Sequence, residues 1–498
     1  MPLILGAQSA VDAGYTVENS CRFNDNDEPR MVRTSGTSTN VDKFTLSFWF
    51  KLGNKDVDAA TLVWFSEGAG LDPQSSVSLN PETAKLDCLT FYGRDPAGAN
   101  IWELTSNRKF RDVGAWYHVV WAYDSTESVD TNRVKMFVNG TQETSFQTAT
   151  YPGLNVDGEF NRGGTNTIIG AFDANGTWMN WADGYMAEAA FIDGTAYAAS
   201  DFGEFDSDSP TMWKPKDFVD DLTFGDNGYY LDFKDSADLG KDVSGEGNDF
   251  TTTNLAAADQ ATDVPTNNFC TINPLAWKPV GTSIYSIVSE GNGIYTSSGA
   301  GTGNNSSVGC TMGFGSGKWY WEAKTTNTIT CWLGVTYVNL GGNADSNGYM
   351  FGGGNGAYGI STYTGGTNGE KVVDGTQTAG VFAGIAANDI MSFAYDLDNG
   401  YFYVGVNGTY VTSGDPTSGA SGTGALGALS TTAGRLYYPL IGNGNYGASS
   451  VLQMNFGGCP TFTIASGNAD ADGYGNFEYA PPSGYFALCT KNLGEYGG

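Results

Sequence analysis

The stretch KFTLSFWFKL, residues 43–52, decides the fold class of this chain. Its two-residue period places four apolar side chains on one face of a β-strand. These side chains are Phe44, Leu46, Phe48 and Phe50. A second stretch, AWYHVVWAYD (115–124), is apolar on both faces and is therefore predicted to lie inside a sheet.

The composition indicates that the whole chain is all-β. Its 498 residues include 70 glycines, 27 tyrosines, 28 phenylalanines and 12 tryptophans, and 16% are charged. Aromatic and β-branched runs broken by glycine and asparagine are typical of many short strands, and no long run has helical spacing with caps. Because a chain of this length exceeds one ordinary core, we predict two tandem antiparallel β-sandwiches.

The strand patterns fall into two regions. The first, 21–205, contains RVKMFVNGTQETSF (133–146), a hairpin in which Asn139-Gly140 can adopt the positive φ angles of a type I′ turn. The second begins near residue 280. The stretch 254–275 is polar, lacks periodicity and contains proline, so it is interpreted as a linker.

The segment GKDVSGEGNDF (240–250) combines glycines with acidic residues and allows three interpretations. It could be a metal loop, the start of a second domain, or a late edge of the first domain. A segment of about 40 residues between two sandwiches cannot bury a core alone, so we expect this one to pair with strands of 21–205. Gly245 and Gly247 then supply positive φ angles, and Asp242 and Asn248 brace the turn.

Charge and cysteine usage exclude several classes of function. The chain has 24 basic and 54 acidic residues, a formal charge of −30, which repels nucleic acids and anionic membrane surfaces. The start, MPLILGAQSAV, lacks the basic and apolar regions of a signal peptide or a membrane anchor. The seven cysteines are scattered without CxxC spacing, which favours folding in a reducing cytoplasm.

Strings of the first region resemble laminin-G-like, concanavalin A-type jelly rolls. They are KFTLSFWFKL, WYHVVWAYD, VKMFVNGTQ and GYMAEAAFIDGTAY. In that family a strand and a D-x-SG-x-GN turn come first, whereas the equivalent here, YYLDFKDSADLGKDVSGEGNDF (229–250), follows the other strands. The resemblance implies a permuted jelly roll at 21–268 with late strands in 222–252, preceded by an N-terminal arm, 1–20.

Strings of the second region resemble a SPRY domain, in that family's order. They are SGKWYWEAKT, LGVTY, NDIMSFAYDLDNGYFYVGVNGT, YYPLI and LQMNFG. The resemblance implies a SPRY-like sandwich at 269–460, followed by a C-terminal tail, 461–498, that packs on it.

The chain as a whole resembles structural proteins of marine tailed bacteriophages, through RFNDNDEPRMVRT, LTFGDNGYYLDF and PPSGYFALCTKNL among others. This resemblance implies a virion protein, assembled in the host cytoplasm, that contacts other virion proteins and forms a homo-oligomer, with a trimer favoured. Two functions follow: a tail appendage that binds a host-surface glycan or protein, or a decoration protein that stabilises the capsid. Because the sequence has no coiled-coil heptads and no β-helical shaft, a compact tip is favoured over a long fibre.

Catalytic residues are not expected. His118 is the only histidine, and inside WYHVVWAYD it is interpreted as a packed or hydrogen-bonded strand residue. The E-x-D-x-x-E arrangement of glycanases is missing, and Glu188 and Asp193 would face opposite sides of a regular strand. We therefore predict a non-enzymatic protein, with a glycan-degrading enzyme as a distant alternative.

Two kinds of ligand site have candidate residues. FNDNDEP (23–29) and DVSGEGND (242–249) offer carboxylate oxygens for calcium, although solvated turns are favoured and no other cofactor is expected. The candidate calcium ligands are Asp25, Asp27, Asp242 and Asp249. Trp178, Trp181 and Tyr185, in GTWMNWADGY, are candidates for a sugar-stacking platform, with packing in a core as the alternative.

Overall fold

The computed structural model shows two compact units, the first ending at Thr266 and the second beginning at Asn267. The structure describes residues 14–53, 62–67, 74–79, 86–95, 99–158, 160, 162–279, 286–297, 306–326, 331–337, 356–362, 368–443 and 450–497. Residues 1–13 of the predicted arm lie outside these ranges. Both units are built from antiparallel sheets, which confirms the all-β prediction.

The first unit contains two eight-stranded sheets. Its strands are β1 (Ser20–Phe23), β2 (Arg30–Thr34), β3 (Lys43–Leu52), β4 (Leu62–Glu67), β5 (Gln74–Leu79), β6 (Leu89–Arg94), β7 (Asn100–Ser106), β8 (Trp116–Asp124), β9 (Val134–Val138), β10 (Thr141–Glu143), β11 (Phe146–Thr150), β12 (Asn166–Ile169), β13 (Phe172–Ala174), β14 (Thr177–Met179), β15 (Gly184–Asp193), β16 (Gly203–Phe205), β17 (Trp213–Pro215), β18 (Tyr229–Leu231), β19 (Thr251–Thr253) and β20 (Gln260–Ala261). Sheet 1 has the order β10-β9-β8-β3-β15-β1-β20, with β18 also paired to β15. Sheet 2 has the order β11-β7-β6-β5-β4-β12-β2-β19. The pairs β13–β14 and β16–β17 are separate hairpins.

The second unit contains a seven-stranded and a nine-stranded sheet. Its elements are β21 (Ile272–Pro279), β22 (Ser286–Ser289), β23 (Ile294–Ser297), β24 (Ser306–Cys310), β25 (Lys318–Thr325), β26 (Cys331–Thr336), β27 (Ala357–Ser361), β28 (Asn368–Val373), β29 (Thr376–Ala383), β30 (Ile390–Asp396), β31 (Tyr401–Val406), β32 (Thr409–Tyr410), β33 (Gly427–Ala428), β34 (Tyr438–Asn443), β35 (Ser450–Asn455), β36 (Phe486–Ala487) and the helix α1 (Thr490–Tyr496). Sheet 3 has the order β21-β24-β34-β26-β27-β28-β29. Sheet 4 has the order β22-β23-β35-β25-β30-β31-β32, with β33 on β31 and β36 on β25.

Short 3-10 helices connect some strands. In the first unit they are Asp25–Asp27, Asp130–Asn132, Ala199–Asp201 and Ala257–Asp259, and in the second Val411–Ser413 and Pro416–Ser421. No helix in the described part of the chain is long and apolar enough to cross a membrane.

The alternation in β3 builds the core of the first unit. Phe44, Leu46, Phe48 and Phe50 all belong to its buried apolar cluster. The rings of Phe48 and Phe65 have centroids 4.9 Å apart, so β3 of sheet 1 packs against β4 of sheet 2. The predicted strand 115–124 corresponds to β8, which lies inside sheet 1 between β3 and β9.

The Asn139-Gly140 hairpin has the predicted turn. Asn139 has φ 47° and Gly140 φ 75°, and the two residues connect β9 to β10. Positive φ at both central positions defines the type I′ turn, whose twist matches that of the flanking strands.

Residues 229–261 return to the strands of the first region. β18 pairs with β15, β19 pairs with β2, and β20 pairs with β1. The acidic turn at 240–250 therefore lies between two strands that belong to different sheets of one sandwich.

The linker interpretation of 254–275 is wrong for the residues near Asp263, although the boundary between the two units, at Thr266 and Asn267, lies inside this stretch. The Lys51 ammonium lies 2.7 Å from an Asp263 carboxylate oxygen, and both side chains are fully buried. Trp116 Nε1 donates to the other Asp263 oxygen at 3.1 Å. The segment looks like a linker because its polar groups find their partners in strands more than a hundred residues earlier in the chain.

The C-terminal residues of the second unit pack on sheet 4. β36 pairs in parallel with β25. The buried Glu322 carboxylate of β25 accepts hydrogen bonds from the backbone N–H groups of Glu478, at 2.9 Å, and Tyr479, at 2.8 Å. Burial raises the pKa of Glu322, and these two hydrogen bonds act in the opposite direction.

Candidate functional site

The candidate site is a groove of about 620 Å³ on the first unit, at the β2–β19 edge of sheet 2. Along β2, Met31 belongs to the core, whereas Arg30, Val32 and Thr34 line the groove. Directly opposed residues of neighbouring strands share a face, so Thr251 and Thr253 of β19 join Val32 and Arg30. In the same way Asn166 of β12 stands opposite Thr34.

A small hairpin carries an aromatic side chain to this groove. The turn Asn175-Gly176, with φ 57° and 85°, joins β13 to β14. Asp173 accepts a hydrogen bond from the backbone N–H of Gly176 at 2.6 Å, which fixes the turn. Trp178 follows on β14 and is half-buried in the groove wall.

Trp178 is held by a neighbouring tryptophan and an arginine. The rings of Trp178 and Trp181 are stacked, with centroids 6.5 Å apart and planes 26° apart. The guanidinium carbon of Arg30 lies 4.3 Å from the centroid of Trp178 and 5.8 Å from that of Trp181. A guanidinium over an aromatic face gains from the ring quadrupole, so these contacts hold the three side chains together.

Tyr185 does not join this aromatic group. It is 2% exposed, and its ring lies 6.4 Å from that of Trp116 and 5.8 Å from the Lys51 ammonium. Lys51 and Trp116 are the partners of Asp263, so residues near 263 pack over the same region of sheet 1. Tyr185 is therefore a packing residue, and the sugar-stacking prediction is wrong for it.

The turn at 240–250 forms one wall of the groove through Gly247, Asn248 and Asp249. The Asp242 carboxylate accepts hydrogen bonds from the backbone N–H groups of Tyr230, Ser244 and Asn248, at 2.7 to 2.9 Å. Gly245 has φ 94° and Gly247 φ 77°. The segment thus has the braced turn that the sequence predicts.

Asp249 and Arg33 support the same wall. Lys241 lies 2.8 Å from the Asp249 carboxylate and is the main reason that the pKa of Asp249 is lowered. Arg33 donates to Asn248 Oδ1 at 2.5 Å and to the carbonyl oxygen of Asn227 at 3.1 Å. Burial lowers the pKa of Arg33, although the nearby Tyr229, Asp242 and Asp193 oppose this effect.

The four candidate calcium ligands form two separate turns. Asp25 and Asp27 lie in the 3-10 helix that follows Asn24, and Asn24 Nδ2 donates to Asp27 Oδ2 at 2.8 Å. Asp242 and Asp249 are bonded to backbone N–H groups and to Lys241. Among the described residues, no three or more His, Cys, Asp or Glu side chains are grouped so that they could hold a metal ion.

We expect calcium removal to leave the first unit unchanged. Because backbone donors and Lys241 already bind the carboxylates of Asp242 and Asp249, an excess of EGTA should shift the melting temperature by less than about 1 °C. Differential scanning fluorimetry with EGTA and with millimolar calcium measures this, and magnesium serves as the control cation. A calcium-specific rise of several degrees would instead assign an ion to one of these turns.

His118 is a packed and hydrogen-bonded residue of a strand, as the sequence predicts. Trp213 Nε1 donates to His118 Nδ1 at 2.9 Å, so Nε2 carries the proton and donates to Ser47 Oγ at 2.9 Å. The imidazole also stacks on Trp49 with ring centroids 4.7 Å apart. Burial lowers the pKa of His118 to about 3, so the ring is neutral near pH 7.

Glu188 and Asp193 are held by different partners. β15 is irregular, because its register with β3 shifts between Ala187 and Ala190, and Glu188 has φ 51° there. Such a bulge adds one unpaired residue to the strand. The Glu188 carboxylate accepts from Tyr15 Oη at 2.9 Å, whereas that of Asp193 accepts from the backbone N–H of Thr39 at 2.7 Å.

Sequence reasoning missed most of the groove. Arg30, Asn166, Thr251 and Thr253 stand up to 223 positions apart, and only the pairing of β2 with β12 and β19 brings them together. The available signals were Trp178, which lies in a short hairpin with a glycine turn, and the acidic turn that contains Asn248 and Asp249.

A comparison with known protein families found a match, which lies in the first unit. Residues 26–199 match the family model of the concanavalin A-like lectin/glucanases superfamily. This match supports the laminin-G-like, concanavalin A-type fold predicted for that region. No curated protein matches the chain.

Several solved structures are similar to parts of the chain. The SPRY domain of human HERC1 has 14% identity and a TM-score of 0.28, over 39% of this chain and 99% of that chain. A putative carbohydrate binding protein from Bacteroides ovatus has 15% identity and a TM-score of 0.34, over 48% of this chain and 59% of that chain. A heptameric SAP-like pentraxin from Limulus polyphemus has 16% identity and a TM-score of 0.27, over 38% of this chain and 80% of that chain.

Proposed function

We propose that the first unit binds a glycan in the β2–β19 groove. The observation that carries the proposal is the position of Trp178 beside polar side chains of three neighbouring strands, in a groove of about 620 Å³. Sugars present apolar C–H faces and a rim of hydroxyl groups. An aromatic wall next to amide, hydroxyl and guanidinium groups complements both features.

The family that matches residues 26–199 supports a glycan ligand, since its description names lectins and glucanases. Between these two activities we propose binding without hydrolysis. Glycoside hydrolysis uses two carboxyl groups on either side of the scissile bond. Of the residues that line the groove, Asp249 alone carries a carboxyl group, and it is paired with Lys241.

Replacing Trp178 with alanine should abolish most glycan binding. Removing a tryptophan from the centre of a binding surface costs about 2 kcal/mol or more, which corresponds to at least a roughly thirty-fold loss of affinity. A glycan array probed with the labelled full chain identifies ligands, and titration calorimetry measures the loss for the Trp178→Ala variant.

Phe205→Ala is the matched control for this variant. Phe205 is also an aromatic residue of a short hairpin, is 45% exposed, and does not line the groove. Its removal should leave glycan affinity unchanged. Equal losses for the two variants, or binding that survives in Trp178→Ala at an unchanged melting temperature, would place the ligand elsewhere.

We further propose that the protein belongs to a bacteriophage virion, where glycan binding would attach the particle to its host. The support is the sequence resemblance to phage structural proteins, which extends beyond the first unit to the closing PPSGYFALCTKNL. Quantitative mass spectrometry of purified particles tests the role. A low copy number and adsorption blocked by the free protein support an appendage, whereas a copy number near that of the shell protein supports decoration.

A further inference from the structure

We infer that the groove selects glycans that carry an anionic group, a carboxylate or a sulfate. This inference rests on the proposed glycan binding and specifies its substrate class. It comes from the hydrogen-bonding groups of the groove that have few partners or none among the described residues.

The unused polar groups of the groove can all donate hydrogen bonds. The one hydrogen bond of the Arg30 guanidinium is a long one, 3.5 Å, to the carbonyl oxygen of Glu28, and Arg30 forms no ion pair within the described ranges. Asn166 Oδ1 accepts from Thr34 Oγ1 at 2.9 Å, which leaves its amide N–H groups free to donate. In the described part of the chain the Thr251 and Thr253 hydroxyls have no partner either.

The carboxylate and amide acceptors that line the groove are already in use. Both carboxylate oxygens of Asp249 bind Lys241, at 2.8 and 3.0 Å, and one also accepts from the backbone N–H of Asp242. Asn248 Oδ1 accepts from Arg33. A ligand that enters this groove therefore meets the donors of Arg30 and Asn166, and threonine hydroxyls that can donate or accept. Carboxylate or sulfate oxygens, which accept several hydrogen bonds each, satisfy these donors best.

Charge acts in the same direction. The groove is lined by two guanidinium groups and one carboxylate, and Lys241 pairs with that carboxylate. The chain as a whole carries a formal charge of −30, which repels anions at a distance, so the attraction is local to the groove. Since Arg33 is 8% exposed and bonded to Asn227 and Asn248, Arg30 is the residue placed to contact the anionic group.

Trp178 positions Arg30 for this contact. The guanidinium lies 4.3 Å from the ring centroid of Trp178, so the ring restricts its orientation. A planar guanidinium presents two parallel N–H groups and so binds a carboxylate or a sulfate in a bidentate manner. The same arginine would therefore support the tryptophan and recognise the charge of the ligand.

The test compares three groups of probes on the full chain: oligogalacturonates with carboxylates, heparin-derived oligosaccharides with sulfates, and neutral cello-oligosaccharides. We expect binding to one or both anionic groups at least ten-fold tighter than to the neutral group. Arg30→Gln should lower anionic affinity at least ten-fold, and added salt should weaken it. Arg30→Lys, which keeps the charge but not the bidentate geometry, should retain part of the affinity.

Arg94→Gln is the matched control. Arg94 lies on β6 of the same sheet, its guanidinium is 5.6 Å from the Tyr92 ring, and it does not line the groove. This variant removes the same charge and should bind like the wild type. Neutral glycans bound as tightly as anionic ones, with no effect of Arg30→Gln, would overturn the inference and leave the proposed function intact. Failure of all three groups of probes would reject both.

Discussion

Replacing Lys51 with methionine is expected to lower the free energy of unfolding of the first unit by about 3–5 kcal/mol. Lys51 is fully buried and lies 2.7 Å from Asp263, which is 1% exposed. Without the ammonium, the Asp263 carboxylate loses its cationic partner in a region closed to water, although Trp116 Nε1 still donates to it. An uncompensated buried charge is among the costliest single changes to a folded protein.

Differential scanning calorimetry of the full chain measures this loss. For a unit of this size, 3–5 kcal/mol corresponds to a fall of roughly 10 °C in the melting temperature of its transition. The double variant Lys51→Met/Asp263→Asn removes both charges and should recover part of the loss, because no unpaired ion then remains.

Lys43→Met provides the comparison. Lys43 is on the same strand and lies 2.9 Å from Asp124, but its side chain is 33% exposed. A solvated pair contributes about 0–1 kcal/mol, so this variant should melt within about 3 °C of the wild type. If Lys51→Met lowered the melting temperature no more than Lys43→Met, the buried Lys51–Asp263 pair would not be needed to hold the residues near 263 in place.

The stability of the first unit is expected to fall as the pH rises from about 5 to 8 because of Glu188. Burial raises the pKa of Glu188 from 4.5 to about 7. The folded state then holds the proton more tightly than the unfolded state. This contribution to the free energy of unfolding is fully present below pH 4.5 and is lost as the pH rises through 7. The total loss is about 3 kcal/mol.

Besides burial, four neighbouring groups change the pKa of Glu188. The hydroxyls of Tyr15 and Tyr230 and the ammonium of Lys234 favour the charged form, and the Asp232 carboxylate opposes it. Tyr15 Oη lies 2.9 Å from the carboxyl group and 3.1 Å from Tyr230 Oη. Since these neighbours do not offset the cost of burial, the neutral form is favoured below pH 7.

Glu188→Gln should remove this pH dependence. The amide keeps an oxygen that accepts from Tyr15 and carries no charge at any pH, so at pH 8 the variant should be at least as stable as the wild type. Urea unfolding at pH 5, 6, 7 and 8 gives the slope. Glu246→Gln removes the same charge from an exposed turn and should keep the slope of the wild type. A Glu188→Gln slope equal to that of the control would exclude Glu188 as the titrating group.

Local sequence determined several of the strands and turns. The alternation of β3, the interior position of β8, the Asn139-Gly140 hairpin and the braced turn at Asp242 could all be predicted. In each case the decisive interactions are periodic side-chain burial or hydrogen bonds within about ten residues, and both leave a pattern in the sequence.

Pairing between distant segments decided the site and the buried charges. Polar residues near 263 suggested a linker, and a tyrosine beside two tryptophans suggested a sugar platform. The first error arose because a partner for Asp263 lies 212 positions earlier, and the second because residues near 263 pack over the region of Tyr185.

By itself the sequence thus determined an all-β chain with aromatic cores and a strongly acidic surface, because strand periodicity and composition are properties of local segments. Only the tertiary structure decided that Arg30, Asn166, Trp178 and Thr253 form one groove. A binding surface depends on strand register across the sheet, and register is fixed by contacts between residues that are far apart in the chain.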